Sequence, residues 1–198
     1  TDTCSRPRAL GTVDTPAIRA ALADRADGKP APQPDIINSN APDSCPAMNA
    51  LPLTIRPSEA TDVPAITKIY AWNVRHGTGT FELDAPDVAE TARRRDDVLG
   101  KGLPWLVADQ GGRVVGYAYA NHFRPRPAYR FCLEDSIYLD PDAQGHGIGR
   151  LLLAELLARC QARGARQMLA VIGDSANRAS VGVHRALGFE VVGLLRHS

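Results

Sequence analysis

Asp140-Pro141-Asp142-Ala143-Gln144-Gly145-His146-Gly147-Ile148-Gly149 is the stretch on which the fold turns. Ahead of it, residues 131–139 read as a strand. Behind it, residues 147–162 read as a strongly apolar helix. The first amides of a helix lack partners inside it, and the aligned peptide dipoles add partial positive charge there. Glycines let an anion approach those amides closely, so such a turn holds phosphate without a lysine.

Three phosphate-binding signatures compete for these residues. The P-loop fails because no Gly-Lys-Ser/Thr follows. The dinucleotide fingerprint starts at Gly145 and Gly147, but Arg150 stands at its third glycine position. It also follows the first strand of its fold, whereas this turn follows about the fourth. The pattern Gln/Arg-x-x-Gly-x-Gly/Ala is met by Gln144, Gly147 and Gly149. In that form the turn resembles the acyl-CoA site of the GNAT N-acetyltransferases. A glycine-rich helix start with no ligand is the alternative.

Working outward, residues 53–56 alternate like a strand closed by Pro57, and Thr61-Asp62-Val63-Pro64 opens a helix that Thr61 is able to cap. Val63, Ile66, Tyr70 and Val74 recur at helical spacing. A second helix is expected over residues 87–99. Residues 105–108 and 114–119 read as a strand pair turned at Gly111-Gly112. Beyond the glycine turn come a strand over 168–172, a helix over 179–187 and a last strand over 189–195. Strands followed by alternating helix and strand make an α/β fold with a mixed sheet.

The first 50 residues differ. They hold Pro7, Pro16, Pro30, Pro32, Pro34, Pro42 and Pro46, with one helical candidate over 15–26 and an extended linker over 29–34. Residues 1–50 are therefore expected to be a poorly ordered Pro-rich extension, with the domain over 51–198.

Bulk properties exclude several classes. The apolar content of 44% is ordinary, and a formal net charge of +1 supports neither nucleic acid nor a membrane surface as partner. No apolar run approaches the roughly 20 residues that span a bilayer. Cys4, Cys45, Cys132 and Cys160 form no CxxC and have no histidine at ligand spacing, so neither a disulfide framework nor a metal site is expected. Reduced thiols in a cytoplasmic protein are the expectation.

Further motifs extend the resemblance. They are Thr78-Gly79-Thr80-Phe81-Glu82, Tyr117-Ala118-Tyr119-Ala120, Tyr129-Arg130-Phe131 and Glu134-Asp135-Ser136-Ile137-Tyr138-Leu139. After the glycine turn come Ala170-Val171-Ile172-Gly173 and Val183-His184-Arg185-Ala186-Leu187-Gly188-Phe189. With them the chain is similar, over 53–195, to the phosphinothricin/methionine sulfoximine acetyltransferase group of the GNAT superfamily. The resemblance implies a splayed mixed sheet flanked by helices. It also implies transfer from acetyl-CoA, as cosubstrate without a metal, directly to the primary amine of a small amino-acid-like molecule.

Several residue roles follow from the resemblance. Backbone groups of Ile137, Tyr138 and Leu139 would hold the pantetheine arm. The turn from Gln144 through Gly145, His146, Gly147, Ile148 and Gly149 to Arg150 would hold the pyrophosphate, and Asn177 would contact the cofactor. Glu134 is the candidate general base: alternation puts it with Ser136 and Tyr138 on one face, and apolar neighbours should raise its pKa. Position alone leaves open an edge glutamate paired with an arginine; the resemblance favours the base. His184 would assist proton transfer or orient the base, or else pack. The amide of Ile137 would serve as an oxyanion donor.

Arg124, Arg126 and Tyr129, in the proline-stiffened loop 123–130, suit a small carboxylate or phosphinate, or form a solvated basic loop. Phe81 closes over a substrate side chain or fills the core.

Relatives in the resembled group continue with a further strand that inserts beside the last one. That strand is expected to be missing here, leaving 189–195 without a partner. This keeps open a non-catalytic acyl-CoA-binding module or inactive remnant. A protein N-terminal amine as acceptor and a homodimer also remain open.

Overall fold

The computed structural model describes residues 8–14 and 51–195. The elements are β1 (Arg8–Asp14), β2 (Leu53–Pro57), α1 (Val63–His76), α2 (Val88–Gly100), β3 (Trp105–Gln110), β4 (Arg113–His122), β5 (Cys132–Leu139), α3 (Ile148–Ala162), β6 (Gln167–Ile172), α4 (Arg178–Arg185) and β7 (Glu190–Leu195). Seven strands form one sheet in the order β2-β3-β4-β5-β6-β1-β7. All neighbours are antiparallel except β5 and β6, which run parallel. No helix among the described residues is long and apolar enough to cross a membrane.

The helices form where the sequence places apolar residues on one face. On α3, Leu152, Leu153, Leu156, Leu157 and Cys160 are almost wholly removed from water. They pack into a core shared with Leu106, Ala118, Leu133 and Met168 from the sheet. Each buried leucine contributes roughly 1.5–3 kcal/mol of transfer free energy. On the other side of the sheet, Ile66, Ile69 and Tyr70 of α1 and Val98 of α2 are buried.

The start of α1 is not capped by Thr61. A 3-10 turn over Ala60–Asp62 precedes it, and Asp62 Oδ2 accepts from the Glu59 amide at 2.7 Å while also pairing with Arg56. Asp62 wins this place because Arg56 at 2.7 Å compensates its buried charge. Asp87 does cap α2, accepting from the Glu90 amide at 2.8 Å.

Two expectations need correction at the N-terminal segment. Arg8–Asp14 is not part of an unstructured extension; it is a strand of the sheet. It lies between β6 and β7, with Thr12 opposite Leu169 on one side and Glu190 on the other. Consequently the last strand does have a partner, and the slot expected to be vacant is filled from the other end of the chain. The physical reason is ladder satisfaction: without β1, the outer edge of β6 and the inner edge of β7 would both carry unpaired backbone groups. The helix expected over 15–26 and the linker over 29–34 lie outside the described residues.

Candidate active site

The glycine turn takes the conformation its sequence demands. Asp140 caps a 3-10 turn, Pro141–Ala143, by accepting from the Asp142 amide at 3.1 Å. Gly145 and Gly147 then adopt φ of 80° and 76°, in the left-handed region that a side chain disfavours. Gly147 is the N-cap of α3 and its carbonyl accepts from Arg150 at 3.1 Å and Leu151 at 3.3 Å. Between the Gln144 amide, which donates to Pro141, and that of Arg150, the five amides of Gly145 to Gly149 make no backbone bond among the described residues. Gly145, His146 and Gly147 are exposed, and the positive end of a helix of 15 residues stands behind them. The turn therefore fits a pyrophosphate.

A gap in the sheet adjoins this turn. β5 and β6 pair only from Cys132–Gln167 to Asp135–Ala170. β5 runs on to Leu139 and β6 to Ile172, so beyond Asp135 the two strands part. Ile137, Tyr138 and Leu139 remain bonded to β4 on their other side. Half of the backbone groups of residues 136–139 thus face the gap, ready to accept an extended chain as an added strand. Gly149 lines the same region: a Cβ placed on it would stand 3.4 Å from Leu139 Cδ1 and 3.7 Å from Val183 Cγ2.

Glu134 sits one residue before the parting. It is half-buried, and no ion pair or hydrogen bond of its carboxylate occurs among the described residues, so the arginine-paired alternative is not what the structure holds. Burial raises its pKa above the ordinary carboxylate value, with the charge of Asp135 adding to the effect. Tyr119 of β4, the register partner of Ser136 on β5, lies near Glu134.

The loop after α1 crosses the same face. Tyr70 Oη and Thr80 Oγ1 are 2.7 Å apart, Tyr138 Oη donates to Gly79 O at 3.5 Å, and Arg94 holds Glu82 at 2.6 Å. A Cβ on Gly173, just past β6, would meet Thr78 O at 2.6 Å and the Phe81 ring at 3.0 Å. The loop thus reaches from β5 to the end of β6, above the parting. Phe81 is 50% exposed, so it does not fill the core.

The arginine loop joins β4 to β5, with Phe123 N bonded to Cys132 O at 3.2 Å. Its last residue, Arg130, stands four positions before Glu134 along the chain. Arg126 is exposed; the Arg124 guanidinium lies over Phe123 at 5.2 Å and over Tyr129 at 6.0 Å.

His184 is not brought to Glu134. Its Nε2 is 3.0 Å from Asp135 Oδ2 and its Nδ1 2.7 Å from Ser180 O. Asp135 points to the opposite face of β5 from Glu134, as strand alternation requires. Burial lowers the His184 pKa, but the hydrogen bond and charge of Asp135 outweigh it, and the net direction is upward. Both ring nitrogens face oxygen acceptors, an arrangement that favours the protonated imidazole and agrees with that direction. Asn177 caps α4, its Oδ1 accepting from Ser180 N at 3.0 Å.

A cavity of about 220 Å³ opens beside the turn, lined by Gln110, Arg113, Asp142 and His146 among others. A second, of about 140 Å³, lies between α2 and the sheet and includes Arg94, Trp105 and Tyr119. Sequence reasoning did not single out Tyr119, Asp135 or Gly173 as site residues. Their signal was present only as motif membership, since what each touches depends on the tertiary fold. Among the described residues there is no cluster of three or more metal-ligating side chains.

Comparison with known proteins agrees with this geometry. The sequence profile of the acetyltransferase (GNAT) family matches residues 66–189. A phosphinothricin N-acetyltransferase of Alcaligenes faecalis is 53% identical over 143 residues, 72% of this chain and 73% of that one. An L-methionine sulfoximine/L-methionine sulfone acetyltransferase of Pseudomonas aeruginosa is 38% identical over 141 residues, covering 71% and 81%. The crystal structure of a GNAT superfamily phosphinothricin acetyltransferase from Sinorhizobium meliloti in complex with acetyl-CoA superposes with a TM-score of 0.69 and 51% identity, covering 71% of this chain and 76% of that one. The free turn amides, the parted strands and these likenesses lead to one conclusion: the chain belongs to the GNAT family of acetyltransferases and takes acetyl-CoA as its cosubstrate.

Proposed function

We propose that this protein N-acetylates the primary amine of a small amino-acid-like substrate of the phosphinothricin or methionine sulfoximine type, with Glu134 as general base. One observation carries the reading: Glu134, half-buried and without an ionic partner among the described residues, stands next to the point where β5 and β6 part. The relatives' acceptors support the substrate class.

Acetyl-CoA supplies the acetyl group as a thioester. The protein's part is to hold it and to prepare the amine. Amides of Gly145 to Gly149 bind the pyrophosphate, and the free edge of Ile137, Tyr138 and Leu139 aligns the pantetheine arm. An amino-acid amine is protonated near neutral pH and cannot attack until it loses a proton. Glu134, its pKa raised by burial, accepts that proton at a pH close to its own, a contribution of about 10²- to 10⁴-fold. Arg124 and Arg126 attract the acceptor's anionic group, and Phe81 and Tyr129 border its side chain. His184 acts through Asp135 on the position of β5, not on the amine.

The test is thiol release from acetyl-CoA across a panel of amino-acid analogues, phosphinothricin and methionine sulfoximine included. Saturable turnover with these acceptors is expected. Tight acetyl-CoA binding without turnover of any small amine would leave a binding module and overturn the proposal.

A further inference from the structure

We propose that the space between β6 and β7 is a strand-acceptor site, that Arg8–Asp14 is a separable strand docked in it, and that its docking holds α4 and β5 in the arrangement that binds acetyl-CoA. The segment is joined to β2 only through residues 15–52, and β2 lies at the far end of the sheet. β1 and β2 stand five inter-strand spacings apart in the sheet, on the order of 24 Å. No short turn ties β1 to either neighbour. Its place is fixed by two antiparallel ladders, Ala9–Ile172 to Asp14–Gln167 on one side and Arg8–Leu195 to Thr12–Glu190 on the other.

The sequence suits this use. Pro7 and Pro16 flank the strand, and no proline lies inside it. The register toward β7 shifts between Leu10 and Gly11, where Val192 is left over as a bulge. Binding by such a segment rests on main-chain hydrogen bonds along both edges, so the ligand class is an extended peptide.

The consequence for the active site follows a chain of contacts. Among the described residues, β7 pairs with no strand but β1. Phe189, directly ahead of β7, is buried and sets its ring edge-on against His184 at 4.9 Å. His184 reaches Asp135 on β5 at 3.0 Å, and Asp135 is the last residue of β5 paired with β6 before the strands part. Removing β1 detaches β7, frees Phe189 and leaves Asp135 and His184 with a looser partner. The walls of the cofactor gap then lose their fixed separation. The coupling to acetyl-CoA rests on the cofactor assignment above; the docking of the strand does not.

The test uses the full chain carrying Thr12→Pro, which removes an interior amide of the ladder. Acetyl-CoA affinity is measured by calorimetry, and a fluorescent peptide spanning residues 7–15 is titrated into variant and unaltered chains. Thr12→Pro is expected to weaken acetyl-CoA at least about tenfold, the equivalent of about 1.4 kcal/mol. The peptide should bind the variant saturably, bind the unaltered chain much more weakly, and restore the variant's acetyl-CoA affinity. Unchanged acetyl-CoA affinity in the variant overturns the coupling; failure of the peptide to bind or restore overturns the acceptor site. Should Thr12→Pro not fold, the doubly substituted full chain Leu10→Cys with Gly193→Cys, register partners, is oxidised and digested. A disulfide linking positions 10 and 193 is expected, and its absence refutes the docking. None of these readouts depends on turnover.

Discussion

Glu134→Gln separates the proton transfer from the rest of the site and sets two observables moving in opposite directions. Glutamine keeps the shape of the side chain, and the pairing of residue 134 with Asn121 and Leu169 uses backbone alone. The free edge beyond Asp135 and the turn amides are untouched, so acetyl-CoA affinity should stay within about twofold. The rate should fall by about 10²- to 10⁴-fold, or about 2.7 to 5.4 kcal/mol on the barrier.

Stability should move the other way. Burial and the Asp135 charge raise the folded pKa of Glu134 above its ordinary 4.5, so the fold disfavours the charged form. The resulting destabilisation is present above the folded pKa and disappears as pH falls below the unfolded value. Glutamine removes it, so the variant should melt higher than the unaltered chain near pH 8, with the difference vanishing below about pH 4. Initial-rate thiol assays and thermal melts over pH give both curves. A variant that keeps its activity, or that loses stability at pH 8, would show that Glu134 is a structural carboxylate and not the base.

Gly147→Ala should cost stability by roughly 1–2 kcal/mol through its positive φ, and weaken acetyl-CoA at least about tenfold by placing a methyl where the phosphate approaches; calorimetry and melting separate the two. Gly173→Ala should push Thr78 and Phe81 from the end of β6 and raise KM for the amine about tenfold, with acetyl-CoA binding little changed, in steady-state kinetics. His184→Gln should flatten the pH dependence of stability. The raised folded pKa of His184 makes its contribution full below about pH 6.5 and lost as pH rises through the folded value, as urea midpoints from pH 6 to 9 will show.

The glycine turn and the strands around it were legible because local chemistry decides them. Gly145 and Gly147 are required by backbone conformation, and the apolar spacing of Leu152, Leu153, Leu156 and Leu157 admits only a buried helix. Glu134 was legible from alternation, and its raised pKa follows from flanking apolar residues. The partner of His184 was not, because Asp135 lies 49 residues away and only the packing of α4 on the sheet brings them together. Nor was the role of Arg8–Asp14: seven residues between prolines carry a weak strand signal, and their stability as a strand comes entirely from two distant edges. The absence expected beside the last strand was a correct reading of local order and an incorrect one of topology.

The central claim, acetyl-CoA-dependent N-acetylation of a small amino-acid-like amine, is tested most directly by following thiol and product in one reaction. The protein is mixed with acetyl-CoA and phosphinothricin, free thiol is recorded continuously, and the N-acetylated amine is quantified by mass spectrometry. One N-acetyl product is expected for each thiol released, saturating in both substrates. Thiol release without N-acetylated amine, or neither despite bound acetyl-CoA, would contradict it.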